Sequence, residues 1–406
     1  MATKSSAENK DKFKLGLALG GGGPLGGIYE IGALRALDEC LDGIDFNDID
    51  VYVGVSSGAL IAANLANQIT TAQMCRIFII NEPHGHPFHP EMFFKPAIKE
   101  YAHSILKIPG ILMRQMGHKL THPGDQTWLE SFTSVVDALP DGLFNNDALF
   151  GYLNVLYNGH GRSNDFRQLK RKLFLVAADL DSGQAVRFGD EKNNHIPISK
   201  AVQASLAFPG FYTPVEIDGR YYADGTLHKA MHASVALDDG VDMILAINPL
   251  VPIDSKAASE NGSLEKASLR DGGLPTVLGQ SLRTLIHSRV AVGMAAYEEQ
   301  YPNADIVLVQ PRGDDATMLL SSVFSFEGRQ EVCEHAYQMT RQDLLERYDE
   351  LAPRFQRYGI TLNKAVLEEP RVFKDRLYGT FGYQTTESSV GWVRQSLARL
   401  LGRAAS

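Results

Sequence analysis

Short, wholly apolar runs alternate along the chain with segments whose apolar residues recur every three or four positions. The first run, "KLGLALG" (Lys14 to Gly20), reads as a strand that runs into glycines. From Gly26 to Leu41, the apolar residues Ile28, Ile31, Leu34, Leu37 and Leu41 fall at helical spacing. "DVYVGVS" (Asp50 to Ser56) predicts a second strand, and "SGALIAANLANQ" the helix after it. Strand, helix, strand, helix in that order implies a parallel pair with a right-handed crossover. Further buried strands are predicted at Leu173–Leu180, Asp242–Leu250 and Asp305–Pro311. "SGQAVRFG" follows the first of these as a returning arm. A helix over Ile198–Phe208 is stopped by Pro209-Gly210, and two short arms flank Asp218-Gly219, a strong hairpin dipeptide. The whole predicts an α/β fold, a three-layer sandwich with a mainly parallel central sheet.

The pattern is interrupted in four places. Residues 1–13 are polar and read as a disordered tail. Residues 82–150 are rich in Pro, His, Phe and Met and read as a helical or irregular insertion. Residues 251–275 carry no apolar periodicity and read as a flexible loop. The main domain is thus expected over 14–345, with a helical C-terminal extension over 346–406. At its end, Ser388–Ser406 sets Val390, Val393, Leu397, Leu400 and Leu401 near one helical face, with Arg394, Arg399 and Arg403 among or opposite them. Such a cationic amphipathic helix suits peripheral contact with anionic lipid or packing on the protein's own body.

Composition narrows the classes. Of 406 residues, 44% are hydrophobic and 21% charged, a balance that supports a large globular core. A net charge of -9 argues against a general nucleic-acid binder. The cysteines are three, Cys40, Cys75 and Cys333, and widely spaced. They suggest neither a disulfide framework nor a zinc site, and fit a reducing compartment. The polar start lacks a secretory signal, and no apolar run is long enough to span a bilayer, so a cytoplasmic location is expected.

Candidate chemistry begins at "GVSSG", Gly54 to Gly58, which spells G-x-S-x-G with Ser56 at its centre. In a strand-to-helix turn, that pattern exposes a strained serine hydroxyl, and side chains in place of Gly54 and Gly58 would crowd the neighbouring elements. Ser57 reads as a helix N-terminal residue. Upstream, "LGGGGPLGG" (Leu19 to Gly27) joins a strand to a helix N-terminus. Consecutive backbone N–H groups there form a nest for negative charge, either a nucleotide phosphate or an oxyanion. The loop matches G-x-G-x-x-G at Gly21, Gly23 and Gly26, but lacks the lysine of a P-loop. Downstream, "YYADGTL" places Asp224 and Gly225 where a hairpin arm ends, so that a buried carboxylate could accept a proton from serine. A second Asp-Gly-Gly at Asp271 sits in the polar loop, with no strand to hold it rigid. The histidines His84, His86 and His89 lack a standard metal-ligand spacing and read as lining of a substrate entrance. Phe88, Met92, Phe93, Phe94, Met113 and Met116 suit an acyl groove or ordinary core packing equally.

A glycine-rich loop, G-x-S-x-G about 30 residues on and a distant Asp-Gly together resemble the patatin-like phospholipase family. "ALGGGGPLGGIYEIGALRAL", "VGVSSGALIAANLA", "AVQASLAFPGFYTPVEIDGRYYADGTL" and "DMILAINPL" follow that family's order and spacing over roughly residues 15–345. The resemblance implies a phospholipase A- or lysophospholipase-like serine esterase working through an acyl-enzyme. Ser56 is then the nucleophile, Asp224 the general base, and the N–H groups of Gly21, Gly22 and Gly23 the oxyanion hole. Gly26, Gly54, Gly58 and Gly225 complete the motifs. A lipid acyl ester is the implied substrate, with no cofactor and no metal. Two positions depart from the pattern: Leu25 stands where the family's loop usually carries Arg or Lys, and Thr226 where its third motif has Gly or Ala. Beside the hydrolase stand two other readings, a nucleotide-binding protein using the Gly20–Gly27 loop, and a catalytically inactive patatin-like scaffold that binds lipid or protein. Oligomeric state is not legible in the chain.

Overall fold

In a computed structural model, the structure describes residues 13–81, 88, 95–97, 141–262, 273–315 and 326–371. The chain divides into two units, Met1–Glu369 and Pro370–Ser406, and the fold below belongs to the first. Asp271, His84, His86, His89 and residues 388–406 lie outside the described residues.

Apolar runs became strands where they are buried on both faces. β1 (Leu15–Leu19) pairs in parallel with β3 (Val51–Val55), whose five residues are all buried. β2 is the short stretch Leu41–Asp42. Strands β4 (Lys95–Pro96), β5 (Gly142–Asn145) and β8 (Gly210–Tyr212) form a small separate sheet. β6 (Lys172–Asp179) joins the other side of β3 in parallel, and β7 (Ala185–Phe188) folds back on it. The hairpin β9 (Val215–Ile217) and β10 (Arg220–Asp224) turns through Asp218 and Gly219, both at positive φ (52° and 75°). β11 (Met243–Ile247) lies on the free side of β1, and β12 (Asp305–Val309) beyond it. Among the described residues the main sheet therefore has eight strands, in the order β12-β11-β1-β3-β6-β10-β9 with β7 on β6. The pairs from β12 to β6 are parallel, and the remaining strands are antiparallel.

Helices cover both faces. α1 (Gly23–Cys40) follows β1, and α2 (Ser57–Ala66) follows β3 and packs on β1, β3 and β6. α1 packs in turn on α2 and on the helix Phe326–Glu346. On the other face, Ala18, Val51, Val53, Ile244 and Ala246 meet Val235 and Leu237, and Ile286, Val290 and Tyr297 of the helix Gly273–Gln300. This is an α/β fold with a mainly parallel central sheet and helices on its two sides.

Three local readings differ from the pattern. α1 starts at Gly23, earlier than the apolar spacing indicates, because Pro24 in the first turn presets a helical φ that periodicity does not register. The helix at Ile198 ends at Ser205, short of Phe208. Within the polar stretch 251–275, Ser255–Glu260 is helical. That helix buries only Ala258 and is held by its cap, Asp254 accepting from the N–H groups of Lys256 and Ala257, so no apolar face announces it.

Candidate active site

Register brings the quoted motifs to one place. Leu19 pairs with Gly54, so the glycine loop leaving β1 runs beside the turn leaving β3. Val55 pairs with Val176 of β6, and Asp224 of β10 pairs with Ala177. Ser56 and Asp224 therefore emerge at the same level from strands on either side of β6, at the C-terminal ends of the parallel strands. Open α/β sheets bind their ligands at that edge.

Ser56 is the N-cap of α2, at φ 53° and ψ -123°. This left-handed backbone is strained for a residue with a side chain and persists where neighbours enforce it. Here the Ser56 N–H donates to Ser205 Oγ at 2.9 Å, and Ser205 Oγ donates to the Val176 carbonyl at 2.6 Å. Ser205 thus ties the turn to β6. Space is as tight as the backbone: a Cβ at Gly58 would lie 2.4 Å from the Leu19 carbonyl oxygen, and one at Gly54 would lie 2.5 Å from that of Gly58.

Asp224 is 1% exposed. Its carboxyl accepts from the Thr226 N–H at 2.9 Å and from Thr226 Oγ1 at 2.8 Å. The Ser56 side chain lies near enough to favour its ionised form. Burial raises the Asp224 pKa to about 6, and the nearby Ser56 side chain and the bonds from Thr226 oppose that rise. The Asp224 N–H donates to the Ala207 carbonyl at 2.9 Å, which fixes the backbone under it. At Gly225, a Cβ would lie 2.4 Å from the Val176 carbonyl oxygen.

The glycine loop is pressed onto both residues. A Cβ at Gly21 would sit 2.1 Å from Thr226 Cγ2 and 2.9 Å from Ser56 Cβ. The Gly21 N–H, expected among the oxyanion donors, is instead spent within the fold: it donates to the Ala230 carbonyl at 3.1 Å. Gly22 and Gly23 stand at the N-terminus of α1, where N–H groups have no partner within the helix, and both line the cavity. Gly26 packs on Pro249 and donates its N–H to the Gly22 carbonyl at 3.0 Å.

Above these groups lies a cavity of about 360 Å³. Ser56, Asp224, Thr226 and the glycines sit in its wall, and the rest is mostly apolar, including Leu25, Ile61, Phe78, Leu206 and Phe211. Phe88, one of the aromatics expected in an acyl groove or the core, lines it too and packs edge-on against Phe78. Among the described residues, no three His, Cys, Asp or Glu side chains are grouped to hold a metal. The three cysteines are buried and none is in a disulfide.

Several contributors had no signal in the chain. Ser205 lies in the "ASLAFPG" block but looks like any small helical residue. Thr226 stood out only as a departure from a motif, yet its hydroxyl is a donor to Asp224 that Gly or Ala would not supply. His232 is buried against the Gly225 carbonyl at 3.4 Å, and burial lowers its pKa to about 4. Arg283 and Arg329 enter the cavity wall from helices far along the chain.

Comparison with known proteins agrees with these motifs. The patatin-like phospholipase family matches residues 17–237. An uncharacterized protein of Acanthamoeba polyphaga mimivirus is 26% identical over 235 residues, covering 57% of this chain and 64% of that protein. An uncharacterized NTE family protein of Mycobacterium tuberculosis is 30% identical over 125 residues, covering 31% of this chain and 30% of that protein. The chain thus matches less than two thirds of the length of either relative. Among solved structures, VipD from Legionella pneumophila is similar at 16% identity and a TM-score of 0.36, covering 82% of this chain and 66% of that one. The type III effector ExoU is similar at 15% and 0.36, covering 83% and 53%. With more than half its length matched by the family, and the family's motifs gathered at one sheet edge, the chain belongs to the patatin-like phospholipases.

Proposed function

We propose that this protein is a serine acyl hydrolase of lipid esters, with Ser56 as nucleophile and Asp224 as its general base. The observation that carries this reading is a strained, strand-end serine set beside a buried carboxyl, both in the wall of a largely apolar cavity. A serine hydroxyl is a weak nucleophile until a base takes its proton. Asp224 accepts that proton as Ser56 Oγ attacks the ester carbonyl. The charge that builds on the carbonyl oxygen meets the N–H groups of Gly22 and Gly23 and the positive end of α1. Asp224 then returns the proton to the leaving alcohol. The acyl-enzyme is resolved by water, with Asp224 again as base. The apolar wall receives the acyl chain, which favours lipid esters over small polar ones.

The test is Ser56→Ala and a fluorophosphonate probe. Wild-type protein should be labelled at Ser56 and should hydrolyse p-nitrophenyl acyl esters. Ser56→Ala should lose labelling and at least about 1,000-fold in turnover, while its melting temperature stays close to wild type. A folded Ser56→Ala protein with undiminished turnover would refute the assignment.

A further inference from the structure

The helix Gly273–Gln300 contributes Gly279, Leu282, Arg283 and Ile286 to the cavity wall. These positions follow i, i+3, i+4 and i+7, one face of a helix. Three of the four are what an acyl-binding wall needs. Arg283 is not. It is half-buried, and among the described residues it makes no hydrogen bond and no ion pair. The other arginines nearby are engaged: Arg329 donates to the Phe78 carbonyl at 3.4 Å, and Arg289 to the Leu227 carbonyl at 2.7 Å. Asp224, the acidic group in the same wall, is not the partner of Arg283. Its carboxyl answers to burial, Ser56 and Thr226, and burial is what acts on Arg283, holding its pKa below the usual guanidinium value. The glycine loop brings no cation of its own, since Leu25 faces the cavity there.

A guanidinium partly removed from water without a counter-charge is unfavourable until an anion joins it. Its planar fork matches the paired oxygens of a phosphate or a carboxylate. We infer that Arg283 is a specificity-determining residue that selects amphiphiles carrying an anionic group beside their acyl chain. This rests on the acyl-hydrolase reading for its substrate, but the binding itself does not require turnover. The anion comes from a headgroup phosphate or from the carboxylate of a released fatty acid, and the two sources are separable.

The experiment compares dihexanoylphosphatidylglycerol with dihexanoylglycerol, both as monomers below their aggregation concentrations, so that surface docking does not enter. Arg283→Gln should lower the ratio of kcat/KM, anionic over neutral ester, by at least about tenfold, the size of one charge-assisted hydrogen bond. Arg283→Lys, which keeps charge but loses the fork, should retain part of that ratio. An unchanged ratio in folded Arg283→Gln protein overturns the inference. In a second arm, dodecyl phosphate, dodecanoate and dodecanol are titrated calorimetrically into Ser56→Ala protein with Arg283 present or replaced by Gln. Arg283-dependent preference for dodecyl phosphate assigns the site to a headgroup, and preference for dodecanoate assigns it to the fatty acid. Equal binding of all three, or anion binding that survives Arg283→Gln, overturns it. If wild-type protein hydrolyses neither ester, the hydrolase reading fails and the second arm still decides the role of Arg283.

Discussion

Asp224 sits where two demands conflict. Burial favours its neutral form, and the nearby Ser56 side chain and the donors from Thr226 favour the ionised one; burial wins, and the pKa rises to about 6. A base must be ionised to work, so hydrolysis should fall as pH drops through about 6. Thr226→Ala removes the hydroxyl donor at 2.8 Å, leaves the N–H, and should move that acid limb to higher pH. A pH profile of kcat/KM for both proteins checks this, and a limb that does not move would show that Thr226 does not tune the carboxyl. The same shift bears on stability. A carboxyl whose folded pKa is raised contributes stability below its unfolded pKa, and that contribution is lost as pH rises through about 6. At pH 8, Asp224→Asn should therefore be inactive yet more stable than wild type by about 1–3 kcal/mol, with the gap closing near pH 4. Denaturant melts at the two pH values would measure it. The family pattern alone made Thr226 look like a defect, because a motif records residue types and not which atom faces which.

At the scale of elements, the strand–turn–helix around Ser56 and the loop after β1 behave as one unit. The Gly58 N–H donates to the Gly20 carbonyl at 3.1 Å, so the first turn of α2 rests on the end of β1. Gly21 carries the closest fit, with Thr226 Cγ2 filling the space a Cβ would need. Gly21→Ala should push Thr226 and Ser56 apart and cut turnover by about 100-fold or more, since small misplacements of reacting groups are costly. Thr226→Ser removes Cγ2 and keeps the hydroxyl, so it should recover part of that activity in the Gly21→Ala background. Absence of any rescue would locate the damage at Ser56 Cβ instead. The spacing of the glycines was legible in the chain. Their separate duties were not: Gly21 donates inward to Ala230, while Gly22 and Gly23 line the cavity, and that depends on a partner carbonyl far along the sequence.

Across the whole molecule, the segment after the helix Phe326–Glu346 is stitched to the start of the chain. The helix Tyr348–Arg357 buries Leu351 and Phe355, and β13 (Thr361–Leu362) pairs antiparallel with β2. Ile360 and Leu362 are buried as well. Truncation after residue 345 should therefore remove these four core side chains, each worth about 1.5–3 kcal/mol on burial, uncover the surface they pack on, and lower the melting temperature sharply. Truncation after Glu369 should keep a cooperative melt and ester hydrolysis, because the body of the fold ends there. A melt and a p-nitrophenyl ester assay on both truncations test this; equal stability of the two would show that the stitched segment adds little. No helix among the described residues is long and apolar enough to cross a membrane.

Local order in the chain was enough for whatever neighbours supply. β1 with its glycines, β3 with Ser56 and the hairpin that ends at Asp224 are each a few consecutive residues, and apolar runs, helical spacing and turn dipeptides encode such units directly. The meeting of Ser56 with Asp224 is of another kind. It depends on Val55 and Asp224 meeting adjacent residues of β6, a register that no local pattern specifies. The cavity is further still from the sequence. Phe78, Leu206, Arg283 and Arg329 come from separate elements, and an arginine on a helix reads the same whether its head meets water or an apolar wall. Burial decides the difference, and burial is a property of the packed fold.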